Sequence, residues 1–404
     1  MSKTSLFAPT TKKMVYDRIA RQNDISKAEL LEEFKLTSSS LTRMLEELVE
    51  DSWIFEAGFG QSTGGRKPIL YRINPLRRVI FGLEISRLSS SLGLYDLNLT
   101  PLAYHKWPMD ETMTPERLVE VIGESAAEML KEHGLDQSQV EGMGIGAVGP
   151  LDRKAGIILN PEYFPAKGWE NVPICQWMET RTGIKAILEN GANAALIGEH
   201  WALRDDKVQH MLYVHAGTGL RSAMMSNGRL VHGAVDMEGS IGQMIIQTDG
   251  PRLHDTGNYG ALEAFASVQA LEKQVRVQQK LGAGRLAELG FPEEGLQQPD
   301  KIHFDLLVQA LHQGYPVIRD LFEQSAAYLG VGLANLINIL HPEIVILGGA
   351  LISAHSSYYD KAIAVARDKI YYVAQYQPQF SKGNLQENAV STGAAILVFD
   401  QIRI

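Results

Sequence analysis

Cysteine is nearly absent: Cys175 is the only one in 404 residues. Without a second thiol the chain has no internal disulfide and cannot assemble a metal site from several cysteines. Long apolar runs are missing too. Stretches such as Ala216 to Leu220 or Ile344 to Ser353 fall well short of the ~18 residues that span a bilayer. The opening Met1-Ser2-Lys3-Thr4-Ser5-Leu6 shows no apolar core with a cleavage site. These absences predict a cytoplasmic protein without membrane association. A 45% hydrophobic share against 21% charged residues excludes a largely disordered chain, and the length suits two to four domains.

A net charge of −9 argues at first against a nucleic-acid partner, but the charge is unevenly placed. Residues 1–78 hold 13 Lys and Arg against 10 Asp and Glu, leaving 25 against 37 for the remainder. A mildly basic head on an acidic body suggests a separate DNA-facing module.

The head reads as three helices over residues 11–52. Met14, Val15, Ile19 and Ala20 give Lys12 to Arg21 one apolar side. Ser26 with Glu29 three residues later is a capping-box pattern, and Leu30, Leu31 and Phe34 follow it. After Lys35-Leu36, Thr37 or Ser38 caps a third helix bearing Leu41, Leu45, Leu48 and Val49. Helix, tight turn, helix is the spacing of a helix-turn-helix. The reading face of the third helix is expected to present Thr37, Ser38, Ser39, Ser40, Thr42 and Arg43. Short hydroxyls permit close approach, and Arg43 reaches a phosphate or a guanine edge. Two strand-like runs then flank the glycine-rich Gly58 to Pro68, with Gly65, Arg66 and Lys67 at its tip or exit. This is the pattern of a wing. Because the third helix carries a single basic residue, further phosphate contacts are assigned to the wing and to Lys12, Lys13 and Lys27.

Beyond Asn74-Pro75 the pattern changes. Val79 to Ile85, Ser90 to Tyr95 and Leu102 to Trp107 read as strands, a helix opens at Thr114-Pro115-Glu116, and Val140 to Val148 reads as a buried strand. The theme repeats from Met211, through the Asn227-Gly228 hairpin turn, a helix near Val317 to Leu340 and the strand Ile344 to Leu347. Leu286 to Asp300 is loop-rich, and Lys273 to Arg285 reads as a solvated basic helix face. Recurrence of the set predicts a duplicated α/β fold with two lobes.

Several motifs, in order, carry a resemblance. They are Gly64-Gly65-Arg66-Lys67-Pro68, Gly217-Thr218-Gly219, Asp249-Gly250-Pro251, Gly257-Asn258-Tyr259-Gly260-Ala261-Leu262-Glu263, His341-Pro342-Glu343 to Gly348-Gly349, and Thr392-Gly393-Ala394-Ala395. Together they resemble the ROK family (repressors, open reading frames and sugar kinases), specifically its winged-helix repressor branch. The resemblance implies a winged helix-turn-helix at 1–76 and a two-lobed, actin-like, sugar-kinase-like ROK domain at 77–404. The lobes would be about 77–190 with the C-terminal segment, and 191–390. It also implies a homodimer or homotetramer.

Family kinases place an Asp-x-Gly-Gly-Thr phosphate loop after the first strand; here the stretch is Glu84-Ile85-Ser86-Arg87-Leu88. Their catalytic aspartate lies in Asn-Asp-x-Asn-Ala; here it reads Asn190-Gly191-Ala192-Asn193-Ala194, and Gly191 cannot act as a base. Gly217-Thr218-Gly219 survives, as a turn kept for the fold. No kinase activity and no cofactor are expected. Of the family's sugar contacts, Asn190 and Glu263 are kept, while Ser240 and Gln243 replace a glutamate and a histidine. These four form the expected effector site, for a sugar or sugar phosphate, with Arg87, Arg221 or Lys167 as anion contacts and Asn160 and Trp169 on a bordering loop. The family's zinc ligands correspond to Gln243, His254, Thr256 and Ala261, so no metal is expected. The resulting reading is a repressor of carbohydrate-use genes on a double-stranded operator. Its alternatives are a sugar kinase with an accessory DNA-binding domain and a protein-interaction regulator without a small-molecule ligand.

Overall fold

A computed structural model describes residues 10–22, 24–61, 67–205, 207–237, 239–281, 302–371 and 376–404. Residues 62–66, where Gly65 and Arg66 of the expected wing fall, and residues 286–300, expected to be a loop, lie outside the described residues. By its internal contacts the chain forms two compact units, one of Met1–Ala194 with Val390–Ile404 and one of Ala195–Ala389. No helix among the described residues is long and apolar enough to cross a membrane.

The first unit begins with α1 (Thr11–Gln22), β1 (Ile25–Ser26), α2 (Lys27–Phe34), α3 (Ser38–Glu50), β2 (Ile54–Phe59) and β3 (Ile69–Ile73). The Ser26–Glu29 capping box forms as the spacing predicts: the hydroxyl accepts from the Glu29 amide, and the carboxylate accepts from the Ser26 amide at 2.8 Å. Lys35 turns the chain in the left-handed region, φ 51°, and so ends α2 one residue before the turn into α3. Val15, Ile19, Leu30, Leu41, Leu45 and Leu48 are each buried. Val49, expected on that apolar side, is exposed. The strands form a small antiparallel sheet in the order β1-β3-β2.

The same unit continues with β4 (Val79–Ile85), β5 (Ser89–Tyr95), β6 (Pro101–Pro108), α4 (Pro115–Glu132), β7 (Val140–Ala147), the short pair β8 (Leu151–Asp152) and β9 (Ile157–Ile158), α5 (Ile174–Thr182), β10 (Ala186–Asn190) and the first turn of α6 (Gly191–Leu203), whose remaining residues belong to the second unit. Thr114 caps α4 and Pro115 opens it. The sheet order is β10-β7-β4-β5-β6, with β10, β7 and β4 parallel. Strand β7 shows why the sheet has two faces. Met143, Ile145 and Ala147 point into a core shared with Leu118, Ile122 and Met178 of α4 and α5. Gly142, Gly144 and Gly146 alternate to the other face, where the C-terminal helix Ala389–Phe399 lies.

Cys175 sits in that first core. Burial pushes its thiol up to about 12, so the nucleophilic thiolate is scarce at neutral pH. Alkylation by iodoacetamide is expected to be at least ~100-fold slower in the folded chain than in urea-unfolded chain. Equal rates would show the thiol to be open.

The second unit contains β11 (Met211–Ala216), β12 (Leu220–Ser226), β13 (Arg229–Leu230), α7 (Glu263–Ala266), α8 (Val268–Leu281), α9 (Phe304–His312), α10 (Pro316–Leu340), β14 (Ile344–Gly348), α11 (Ala350–Ala354), α12 (Ser356–Lys369) and β15 (Gln379–Ser381). Its sheet runs β15-β14-β11-β12-β13, three parallel strands followed by an antiparallel meander. Counted from each unit's own first strand, this is the order of the first unit's main sheet. The recurrence read in the sequence is therefore a repeated α/β topology.

Candidate nucleic-acid interface and effector site

Thr37 caps α3, its hydroxyl accepting from the Ser40 amide at 3.3 Å. Ser38, Ser39 and Ser40 fill the first turn and are exposed, and Thr42 is half-buried. Lys27 donates to the Ser38 hydroxyl at 2.9 Å and to that of Thr42 at 2.5 Å. A lysine therefore stands beside a helix N-terminus with solvent-facing hydroxyls, an arrangement suited to an anion such as a phosphate. Arg43 is 80% exposed and makes an ion pair with Glu47 at 3.3 Å, one helical turn along. Lys67 is exposed just before β3, and the Gly60 amide donates to the Pro68 carbonyl at the hairpin's base.

Two lysines assigned to phosphate are placed otherwise. Lys12 pairs with Glu47 at 3.1 Å, joining α1 to α3. Lys13 is 5% exposed, pairs with Asp17 and donates to the Phe399 carbonyl at 3.4 Å. Helical periodicity alone cannot show that a lysine turns inward to a partner this distant in sequence. Arg72 is likewise structural, gripping both carboxylate oxygens of Asp24.

In the first unit, Asn190 ends β10 and is buried; its side-chain oxygen accepts from the Ala192 amide at 3.0 Å and so opens α6. Glu189 went unnoticed in the sequence. It is buried, accepts from Asn190 N at 2.7 Å and Asn193 Nδ2 at 3.0 Å, and pairs with Arg153 at 3.1 Å. Nothing in the spacing of Arg153 and Glu189 announces that pair. A Cβ on Gly191 would meet nothing closer than 3.6 Å, so the space at this position accepts a side chain. Arg87 donates to the Glu162 carbonyl at 2.7 Å and lies 5.9 Å from the Tyr163 ring. Asn160 and Lys167 are exposed. Trp169 is 3% exposed, stacked 4.4 Å from Phe164, with its indole N–H donating to the Met113 carbonyl; it is a core residue and not a lining one.

In the second unit, Gln243 links three segments. Its amide donates to Glu263, its side-chain oxygen accepts from Asn258 N at 2.9 Å, and its carbonyl accepts from Asn258 Nδ2 at 3.1 Å. Arg221 donates to Ser240 Oγ and to the Asp236 carbonyl, and forms an ion pair with the buried Asp236 carboxylate at 3.7 Å. His254 faces Gln269 at 2.8 Å. A Cβ on Gly217 would come within 2.8 Å of the His215 imidazole, so this glycine permits close packing within the loop.

Residues 80–401 match the ROK family. The chain belongs to the ROK family. It is 25% identical over 410 residues to the xylose repressor of Caldicellulosiruptor bescii, covering 100% of this chain and 98% of that one. The crystal structure of a ROK family transcriptional regulator, a homolog of the E. coli MLC protein, superposes with a TM-score of 0.75 at 23% identity, over 96% of this chain and 94% of the other. A ROK family glucokinase from Streptomyces griseus, solved with glucose and AMPPNP, gives 0.65 at 26% identity. It covers 98% of that kinase but only 79% of this chain.

Proposed function

We propose that this ROK protein is a transcriptional repressor of carbohydrate-use genes. Residues 1–76 form a winged helix-turn-helix that reads a double-stranded operator through α3, with Thr37, Ser38, Ser39, Ser40, Thr42 and Arg43, and through a wing with Gly65, Arg66 and Lys67. Residues 77–404 form the body. Asn190, Ser240, Gln243 and Glu263 receive a sugar or sugar-phosphate effector, and no phosphoryl transfer takes place. The observation that carries the reading is the extent of resemblance: a repressor matches along the whole chain, whereas a full-length kinase leaves about a fifth of it unmatched. The exposed first turn of α3 beside Lys27, and a glycine at the catalytic aspartate position, support it further. The chain acts in the cytoplasm as a homodimer or homotetramer, because one module with one arginine on its reading helix binds weakly and two-fold sites double the contacts.

Selection of duplexes from a random library tests this reading. A recovered two-fold site whose affinity falls steeply with salt is the expected result, and failure to enrich any duplex would refute it. Purified protein with ATP and a monosaccharide panel that includes D-xylose is expected to show only background turnover. Sustained ADP release that requires the sugar would instead support the kinase alternative.

A further inference from the structure

The C-terminal helix, Ala389–Phe399, is seated on the sheet of the first unit with no slack. A Cβ on Gly82 would fall 2.0 Å from the Ser391 carbonyl, and one on Gly144 would fall 1.8 Å from that of Ala394. On Gly146 it would meet Val390 at 2.5 Å, and on Gly142 Val398 at 3.0 Å. Four glycines on β4 and β7 therefore let the helix lie against the sheet backbone along its length. Ser391 is tied down as well, its hydroxyl 2.8 Å from that of the buried Tyr95. Packing this close moves as a unit, because interiors near crystal density transmit displacement and do not absorb it.

The two ends of this helix touch different functional regions. Val390, at the N-terminal end, lies 3.8 Å from where a Cβ of Gly191 would be, and Gly191 follows Asn190 directly in the chain. Phe399, at the other end, stacks on Tyr16 of α1 with ring centroids 6.0 Å apart, and Tyr16 in turn meets Trp53 edge-on at 5.7 Å. Lys13 of α1 completes the joint. Its ammonium donates to the Phe399 carbonyl at 3.4 Å and sits 4.9 Å from the Phe399 ring, a cation placed at the negative end of the helix. Eleven residues at 1.5 Å per residue make a rod about 16 Å long.

We propose that the C-terminal helix couples the effector site to the DNA-reading module, with Val390 and Phe399 as its positioning residues. The proposal rests on the reading of Asn190 as an effector residue and of α1 to α3 as the reading module. A ligand that displaces Asn190 or the start of α6 shifts Val390. The rod carries the shift over the glycines to Phe399, and Lys13 and Tyr16 take α1 with it. Operator affinity then changes without contact between effector and DNA. Linkage requires the effect to run in both directions.

Amide hydrogen exchange on the full-length protein tests this. Val390→Ala is expected to speed exchange across residues 11–22 about 5-fold or more, and Phe399→Leu to speed it across residues 189–193 comparably. Met129→Ala, on the opposite face of the same sheet, is the control for general loosening, and it is expected to leave residues 11–22 unchanged after correction for its lowered melting temperature. Phe399→Leu keeps an apolar side chain of similar volume and so guards against loss of folding. If Val390→Ala and Met129→Ala affect residues 11–22 alike, or if exchange at either end ignores a change at the other, the coupling is refuted. Affinity of each variant for the selected duplex is measured alongside, and a several-fold loss is expected for Val390→Ala and Phe399→Leu. If wild-type protein selects no duplex, the repressor reading fails while the exchange results still decide the role of the helix.

Discussion

Arg43→Ala is expected to lower affinity for the operator about 5- to 150-fold, the range of losing ~1–3 kcal/mol of one arginine contact. The physical basis is exposure. Arg43 stands 80% open on α3, one turn beyond the capped serine cluster, and its partner Glu47 is also shared with Lys12. A surface ion pair of this kind holds an arginine weakly, so its release to DNA costs little. A binding titration at several salt concentrations separates the two roles open to Arg43. If it meets a base edge, the variant loses discrimination at one operator position; if it meets phosphate, affinity drops uniformly and the salt slope falls by about one per module. No change in affinity, slope or discrimination would mean that α3 is not the reading helix. Lys27→Ala is expected to weaken binding without relaxing specificity, because its ammonium lies beside the first turn and not on the exposed face.

Glu199→Ala is expected to cost about 1–3 kcal/mol of stability, because it empties a buried site and removes the acceptor of two backbone amides. Glu199 is 1% exposed, and its carboxylate accepts from Asn384 N at 2.6 Å and Leu385 N at 3.0 Å, anchoring the loop that follows Gly383. Gly383 takes a left-handed φ of 81°, and a Cβ there would strike the carboxylate at 2.3 Å, so loop and acid are fitted to each other. Desolvation by burial, only partly offset by these amides, raises the Glu199 carboxyl above its usual value of 4.5. A raised folded-state value means that the folded chain holds the proton more tightly than the unfolded chain. The group's contribution is then greatest below the ordinary glutamate range and declines as pH rises through the raised value. Melting curves from about pH 4 to 7 should show this slope in the wild type and a flatter one in Glu199→Gln. An unchanged slope would show that the carboxylate is not the titrating group, and a loss below ~1 kcal/mol in Glu199→Ala would show that its amides find water.

Much of the fold was legible because it is written in local periods and caps. The Ser26 and Thr37 caps, the Thr114-Pro115 helix start and the Asn227-Gly228 turn each depend on residues within a few positions of one another. The candidate site was legible only in part. Asn190, Gly191 and Glu263 stand in recognisable motifs, but the glutamate that organises Asn190 and Asn193 pairs with Arg153, 36 positions away. Trp169 resembled a lining residue until its stacking on Phe164 and its bond to Met113 placed it in the core.

By itself, then, the sequence determined the α/β character, the repeated topology, the caps of the head's helices and a glycine at position 191. These follow from chain neighbours or from the identity of a single residue. Tertiary structure alone decided which lysine faces solvent, how Gln243 holds Glu263 and the Asn258 loop together, and what the glycines of β4 and β7 are for. Lys13 has the periodic position of a surface cation, yet its acceptor is the Phe399 carbonyl, 386 residues further along. Contacts of that range leave no period in the chain, because they exist only once burial has brought the segments together.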